Sequence, residues 1–138
     1  MPITAQGFTF ETPPGYLAEE TTMALRPQDR GTGPSPTLIF HSRKVPADAT
    51  LESLAAEVVS ELSRGNPDGK VPRVADFAFA DGEKGALVMH SADNVRQYLV
   101  IRLSHGTQAT VMVNVPDVPE LQATAPLFMQ TFASLRVG

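Results

Sequence analysis

Four apolar runs, at residues 74–80, 86–90, 97–103 and 109–115, are separated by Asp81-Gly82, Asp93-Asn94 and His105-Gly106. Short apolar runs broken by such pairs are hairpin signals, so this stretch predicts a four-stranded antiparallel meander. Upstream, 8–10 and 20–26 alternate as strands do, the first stopped by Pro13-Pro14-Gly15. In the second, Met23 and Leu25 fall on one face and Thr22, Ala24 and Arg26 on the other. Residues 37–43 form a further strand, and 27–36, with Gly31, Gly33 and Pro34, read as an exposed loop.

Helical periodicity occurs twice. In residues 49–64, Leu51, Leu54, Ala55, Val58 and Leu62 recur at i, i+3, i+4 and i+7, while Glu57, Ser60 and Arg64 occupy the other side. Thr50 suits the N-cap, Glu52 the first turn and Gly65 the stop. Val59 falls outside the stripe. A loop at 65–72 leads into the meander. Residues 116–137 hold a second helix, with Leu121, Ala125, Phe128, Phe132 and Leu135 on its core side. A proline inside a helix costs about 3 kcal/mol, so the main helix starts near Thr124, which leaves Pro126 in the first turn. Both apolar stripes need a partner, and the sheet is the only large one. The expected fold is a single α+β domain over residues 1–138: a twisted antiparallel sheet of about six to seven strands with two helices packed on it.

Composition narrows what such a domain does. A net charge of −4 gives no basic patch for nucleic acid, and Arg43-Lys44 is only a pair. There is no cysteine, hence no disulfide and no thiol chemistry. No apolar run is long enough to span a membrane. The opening residues carry no basic segment followed by an apolar one, so the expected location is the cytoplasm. His41, His90 and His105 are scattered over two strands and a turn, too few to converge on a metal. Ser104-His105-Gly106 sits in a hairpin where neighbours point apart, so it is no nucleophile elbow. Gly31-Thr32-Gly33-Pro34 lacks the lysine of a phosphate loop. The sequence therefore predicts no enzyme, no cofactor and no metal.

The apolar strand faces admit two readings. Gln97, Leu99, Ile101 and Leu103 share one face of their strand; Val111, Val113 and Val115 share one of the next, with Met112 opposite. All of these are either core under the helices or, in part, an open groove for an apolar helix. Gln97 is the odd member, a polar amide on an apolar face.

The order of motifs resembles the DcrB-like family of the PsbP-like fold. The likeness runs through Phe8-Thr9-Phe10, Pro14-Gly15-Tyr16 and Glu20 to Arg26, then Thr37 to Arg43 and Leu51-Glu52-Ser53-Leu54. It continues in Arg96-Gln97-Tyr98-Leu99-Val100 and in the closing Ala125 to Arg136. Members without export signals include type VI secretion chaperones, and the resemblance is greatest to these effector-associated (Eag) chaperones. It implies a cytoplasmic homodimer that shields the N-terminal transmembrane helices of a cognate effector. By that likeness Met23, Leu25, Ile39, Val58, Leu62, Gln97 and Leu99 line the client groove, with Gln97 hydrogen-bonding the client. The chain departs from the pattern at Pro13-Pro14 and in the long 27–36 loop, and its first helix lacks a glutamine for a second polar contact. The alternative is a DcrB-like envelope or stress-related module that binds a protein partner.

Overall fold

The computed structural model describes residues 2–5, 8–16, 20–26, 35–65, 71–92 and 94–136. The loop expected at 27–36 and the centre of the one at 65–72 fall largely outside them. A six-stranded antiparallel sheet carries the chain. Its strands are β3 (Glu20–Leu25), β4 (Thr37–Lys44), β5 (Arg73–Ala78), β6 (Lys84–Ala92), β7 (Val95–Ser104) and β8 (Thr107–Pro116), in the spatial order β3-β4-β8-β7-β6-β5. Before it, β1 (Pro2–Ala5) pairs with β2 (Phe8–Glu11) in a separate two-stranded sheet. The expected strands at 8–10, 20–26 and 37–43 and the meander are present; β1 had no signal in the sequence.

Turn chemistry sets the register. Ser104 pairs with Thr107, leaving His105 (φ 47°) and Gly106 (φ 75°) as a two-residue turn. Successive positive φ values match the twist of the flanking strands. The β5–β6 connection is longer and is closed by Phe79 N–H donating to the Glu83 carbonyl at 2.9 Å.

Helix α1 (Leu51–Gly65) starts where expected. Ser53 N–H donates to Thr50 Oγ1 and Thr50 N–H donates to Ser53 Oγ, both at 3.1 Å. This is a reciprocal capping box with serine in place of the usual acid or amide. The second helical region is broken rather than continuous. A short α2 (Pro119–Gln122) is followed by α3 (Ala125–Ala133), with Thr124 as N-cap and Pro126 in the first turn. Leu135 lies just past α3, yet still packs on the core.

The helices take opposite faces of the sheet. Leu54 and Ala55 of α1 are buried against Ala86, Val88, Leu99 and Ile101. On the other face Phe132 of α3 packs with Phe79, Val100, Val111, Val113 and Val115. The alternation along β7 and β8 thus feeds two cores, one under each helical layer.

One ion pair ties the second layer to the sheet. The Arg102 guanidinium donates to Asp81 Oδ2 at 2.6 Å, to Asp81 Oδ1 at 3.1 Å and to the Leu135 carbonyl at 2.9 Å. It also lies 4.9 Å from the centre of the Phe79 ring. The hydrogen bond from Arg102, helped by the Glu83 backbone N–H, holds the Asp81 carboxyl below its ordinary value, and the same pair raises Arg102. The native carboxyl therefore titrates below the unfolded one. Its contribution to stability is present above the ordinary carboxylate range and is lost as pH falls through the depressed native pKa.

Among the described glycines, Gly85 has the closest neighbours. A Cβ there would sit 2.5 Å from the Ile101 carbonyl oxygen and 2.5 Å from the Phe79 ring. Gly85→Ala is expected to cost about 1–3 kcal/mol in urea unfolding, as overpacking does. Asp81→Asn should lower the urea midpoint at neutral pH, and its gap to wild type should close as pH falls below about 4. A pH-independent gap would mean that the lost stability does not come from the carboxylate charge.

Candidate functional site

Strand register decides which side chains meet. On the α1 face, Ala24, Ile39, Met112, Leu99, Val88 and Val74 form one row across all six strands. Polar rows flank its outer half. On one side lie Thr22, His41 and Thr110, then Glu20, Arg43 and Gln108; on the other lie Thr37, Asn114, Gln97 and His90.

Helix α1 packs mainly on β6 and β7, and among the described residues no helix lies over β4 and β3 on this face. A cavity of about 430 Å³ opens there. Its floor is Ile39, Met112 and Leu99, and its wall is Val58 and Leu62, which α1 presents beyond its buried residues. The same helical stripe thus does two things. Leu54 and Ala55 close the core, while Val58 and Leu62 remain half-buried at the groove.

One end of the groove is charged. Arg43 donates to Glu57 Oε2 on α1 and to Gln108 Oε1 on β8, each at 3.0 Å. Gln108 in turn donates to Thr110 Oγ1 at 3.0 Å. His41 Nε2 meets Glu20 Oε1 at 2.5 Å, and Glu61 adds a further carboxylate. The Arg43–Glu57 and His41–Glu20 pairs sit at the surface and contribute little to stability; what they supply is a polar rim. The other side is an amide chain. His90 Nδ1 lies 2.9 Å from Gln97 Oε1, and Gln97 donates to Asn114 Oδ1 at 2.9 Å. Because Gln97 Oε1 only accepts, Nδ1 is the donor. The His90 ring is 4% exposed, and among the described residues its Nε2 has no partner.

The residues expected to line a groove divide. Ile39, Val58, Leu62 and Leu99 all line this cavity, although Leu99 is 7% exposed and belongs as much to the core. Gln97 lies one row along on the same face, engaged at both ends of its amide. Met23 and Leu25 do not join them. They pair with Phe40 and Leu38, whose side chains belong to the α3-side core, so both point to the opposite face. The physical reason is the two-residue period of a strand: Ala24 and Thr22, not Met23 and Leu25, share a face with Ile39. Met112, Arg43, Glu57 and Gln108 line the groove as well, outside the set that the resemblance implies. Met112 was legible as the residue opposite the valines of its strand, but its pairing with Ile39 needed the β4–β8 register.

An apolar strip between polar rims suits a segment that is apolar along its length and carries occasional polar groups. Among the described residues no group of three or more His, Cys, Asp or Glu side chains could hold a metal ion.

No protein-family model matches the chain, and no curated protein matches its sequence. Two of the solved structures that share its architecture illustrate the likeness. PA94 of Pseudomonas aeruginosa, a protein of unknown function suggested to be a regulator, superposes with a TM-score of 0.73 at 11% identity, over 100% of this chain and 96% of that one. The cyanobacterial PsbP protein CyanoP of Synechocystis sp. PCC 6803 superposes with a TM-score of 0.57 at 8% identity, over 94% of this chain and 98% of that one. The fold is PsbP-like. At these identities the likeness is one of fold, and the PsbP-like sheet supplies the frame on which α1 leaves its groove.

Gln97→Leu should unpair the His90 Nδ1–H and Asn114 Oδ1 and cost about 1–3 kcal/mol in urea unfolding. The double variant His90→Leu/Gln97→Leu should cost less than the sum of the two single ones. Additive costs would show that the two side chains do not depend on each other.

Proposed function

We propose that this protein is a cytoplasmic type VI secretion chaperone that shields the N-terminal transmembrane helices of a cognate effector before export. The observation that carries this reading is the groove beside α1, where Ile39, Met112, Val58 and Leu62 lie open between polar rims. A transmembrane helix needs about 20 apolar residues, and in water each buried Å² of that surface gains roughly 25 cal/mol. A holdase needs an apolar strip of helical width, and the groove supplies one. The rims at Arg43–Glu57 and at Gln97–Asn114 supply hydrogen-bonding groups for small polar residues in such a helix. The absence of an apolar helix long enough to cross a membrane among the described residues is compatible with a role in which the client, not the chaperone, enters the bilayer. No catalytic step is part of this assignment.

The test is co-expression with the protein encoded beside it, followed by affinity capture. Ile39→Glu and Met112→Glu should each reduce recovery of soluble client at least tenfold. Leu127→Glu, on exposed α3 surface, should leave it unchanged. Undiminished capture by both groove variants, or capture independent of the client's apolar N-terminal segment, would remove the reading.

A further inference from the structure

The α3 face carries a cavity of its own. Register sets Ser42, Ala109 and Arg102 in one row across β4, β8 and β7, with Lys44, Thr107 and Ser104 in the next row of that face. Helix α3 ends at Ala133, and Leu135 and Arg136 follow it over this end of the sheet. A cavity of about 340 Å³ opens between them. Phe40, Ala109 and Leu135 give it an apolar floor. Its charged lining is of one sign: Arg102 and Arg136, with His105 beside them and no carboxylate among the described residues, in a chain of net charge −4. The groove on the other face, by contrast, holds Glu20, Glu57 and Glu61.

Donors in this cavity are left open. The hydroxyls of Ser42, Ser104 and Thr107 and the side chains of His105 and Arg136 have no hydrogen-bond or ion-pair partner among the described residues. Arg102 is engaged only in part. Its Nη1 donates to Asp81 Oδ1 and to the Leu135 carbonyl, and its Nη2 donates once, to Asp81 Oδ2. A planar guanidinium has five N–H groups, so two remain: Nε–H and the second on Nη2, which point the same way from one edge. Such a parallel pair matches the two oxygens of a carboxylate. Among the described residues only the buried His90 Nε2 lacks both a partner and solvent, so the unpartnered Nε of Arg102 is open to solvent. Carbonyls that would repel an anion are occupied. Those of Gln130, Thr131, Phe132 and Ala133 at the end of α3 accept backbone N–H groups, and that of Leu135 accepts from Arg102.

We propose that this cavity binds a small aliphatic monocarboxylate. The carboxylate sits on the open edge of Arg102 beside Arg136, and the aliphatic chain lies on Phe40, Ala109 and Leu135. Charge selects a monoanion. Asp81 already balances Arg102, which leaves Arg136 as the unbalanced charge of the lining among the described residues. A phosphate dianion would stay half neutralised there. The volume is near the lower end of the range of small-molecule sites, about 300–1,000 Å³. The cavity shares no lining residue with the groove beside α1, so the assignment stands apart from the proposed function.

Hexanoate is the probe, followed by isothermal titration calorimetry on the whole chain. It should bind one per chain, at least about tenfold more tightly than hexanamide or inorganic phosphate, because only the carboxylate offers two charged oxygens to the guanidinium edge. Arg102→Lys keeps the charge but loses the parallel donors and should weaken binding about tenfold or more. Because Arg102 also braces the fold, Arg136→Gln, on exposed surface, is the independent variant and should weaken binding about fivefold or more. Amide shifts during the titration should centre on Ser42, Ser104, Thr107 and Arg136. No saturable binding of hexanoate, equal binding of hexanamide or phosphate, an Arg136→Gln variant that binds at full strength, or shifts centred on Ile39 and Met112 would overturn the assignment.

Discussion

A helix is about 10 Å across, whereas six strands spaced at roughly 4.8 Å span about 24 Å. One helix on a six-stranded face must therefore leave about half of it open. Much of this molecule follows from that mismatch. On one face α1 settles over β6 and β7, where Ala86 is small enough to admit Leu54 and Ala55. What remains beside it is the groove over β8 and β4. On the other face α2 and α3 follow β8 directly and are held close to it, with Gln122 donating to the Val115 and Pro116 carbonyls. Phe79 and Phe77 from the β5 side fill the rest of that layer, edge-on to one another.

The two faces differ in how they are sealed. The α3 layer combines aromatic packing with Arg102, whose guanidinium joins β7, the β5–β6 loop and the chain after α3. Such a charge is tolerated at low exposure because Asp81 and a carbonyl together use its donors. On the open side of the α1 layer the Arg43–Glu57 pair joins helix to sheet, but it is exposed where Arg102 is buried. Its polar rows compete with the apolar row at both ends, so the exposed strip is narrow. That narrowness sets what can dock: a rod with one apolar stripe fits better than a broad flat surface.

The edges of the sheet matter as much as its faces. β3 is short and exposed on both sides, the least buried strand of the sheet, and among the described residues it pairs only with β4. Its free edge and the open groove lie next to each other, because β3 and β4 carry the outermost positions of the groove row.

Periodicity and turn chemistry were enough to read the meander, the span of α1 and the start of α3 at Thr124. These depend on local preferences: a φ that only certain residues adopt, a period of 3.6 against 2, and a proline confined to a first turn. The sequence also separated Met23 and Leu25 from Ala24 and Thr22 along their own strand. It did not reveal which of those faces Ile39 shares. Whether Thr22 or Met23 stands beside Ile39 depends on a one-residue shift in pairing, and such a shift exchanges every side chain between faces. Likewise Arg43, Glu57 and Gln108 are distant in the chain and meet only through the β4–β8 register and the placement of α1. Local order along the backbone was thus a property of the sequence itself. The composition of the groove was decided by tertiary structure, because pairing between distant strands is fixed by the packing of both faces at once.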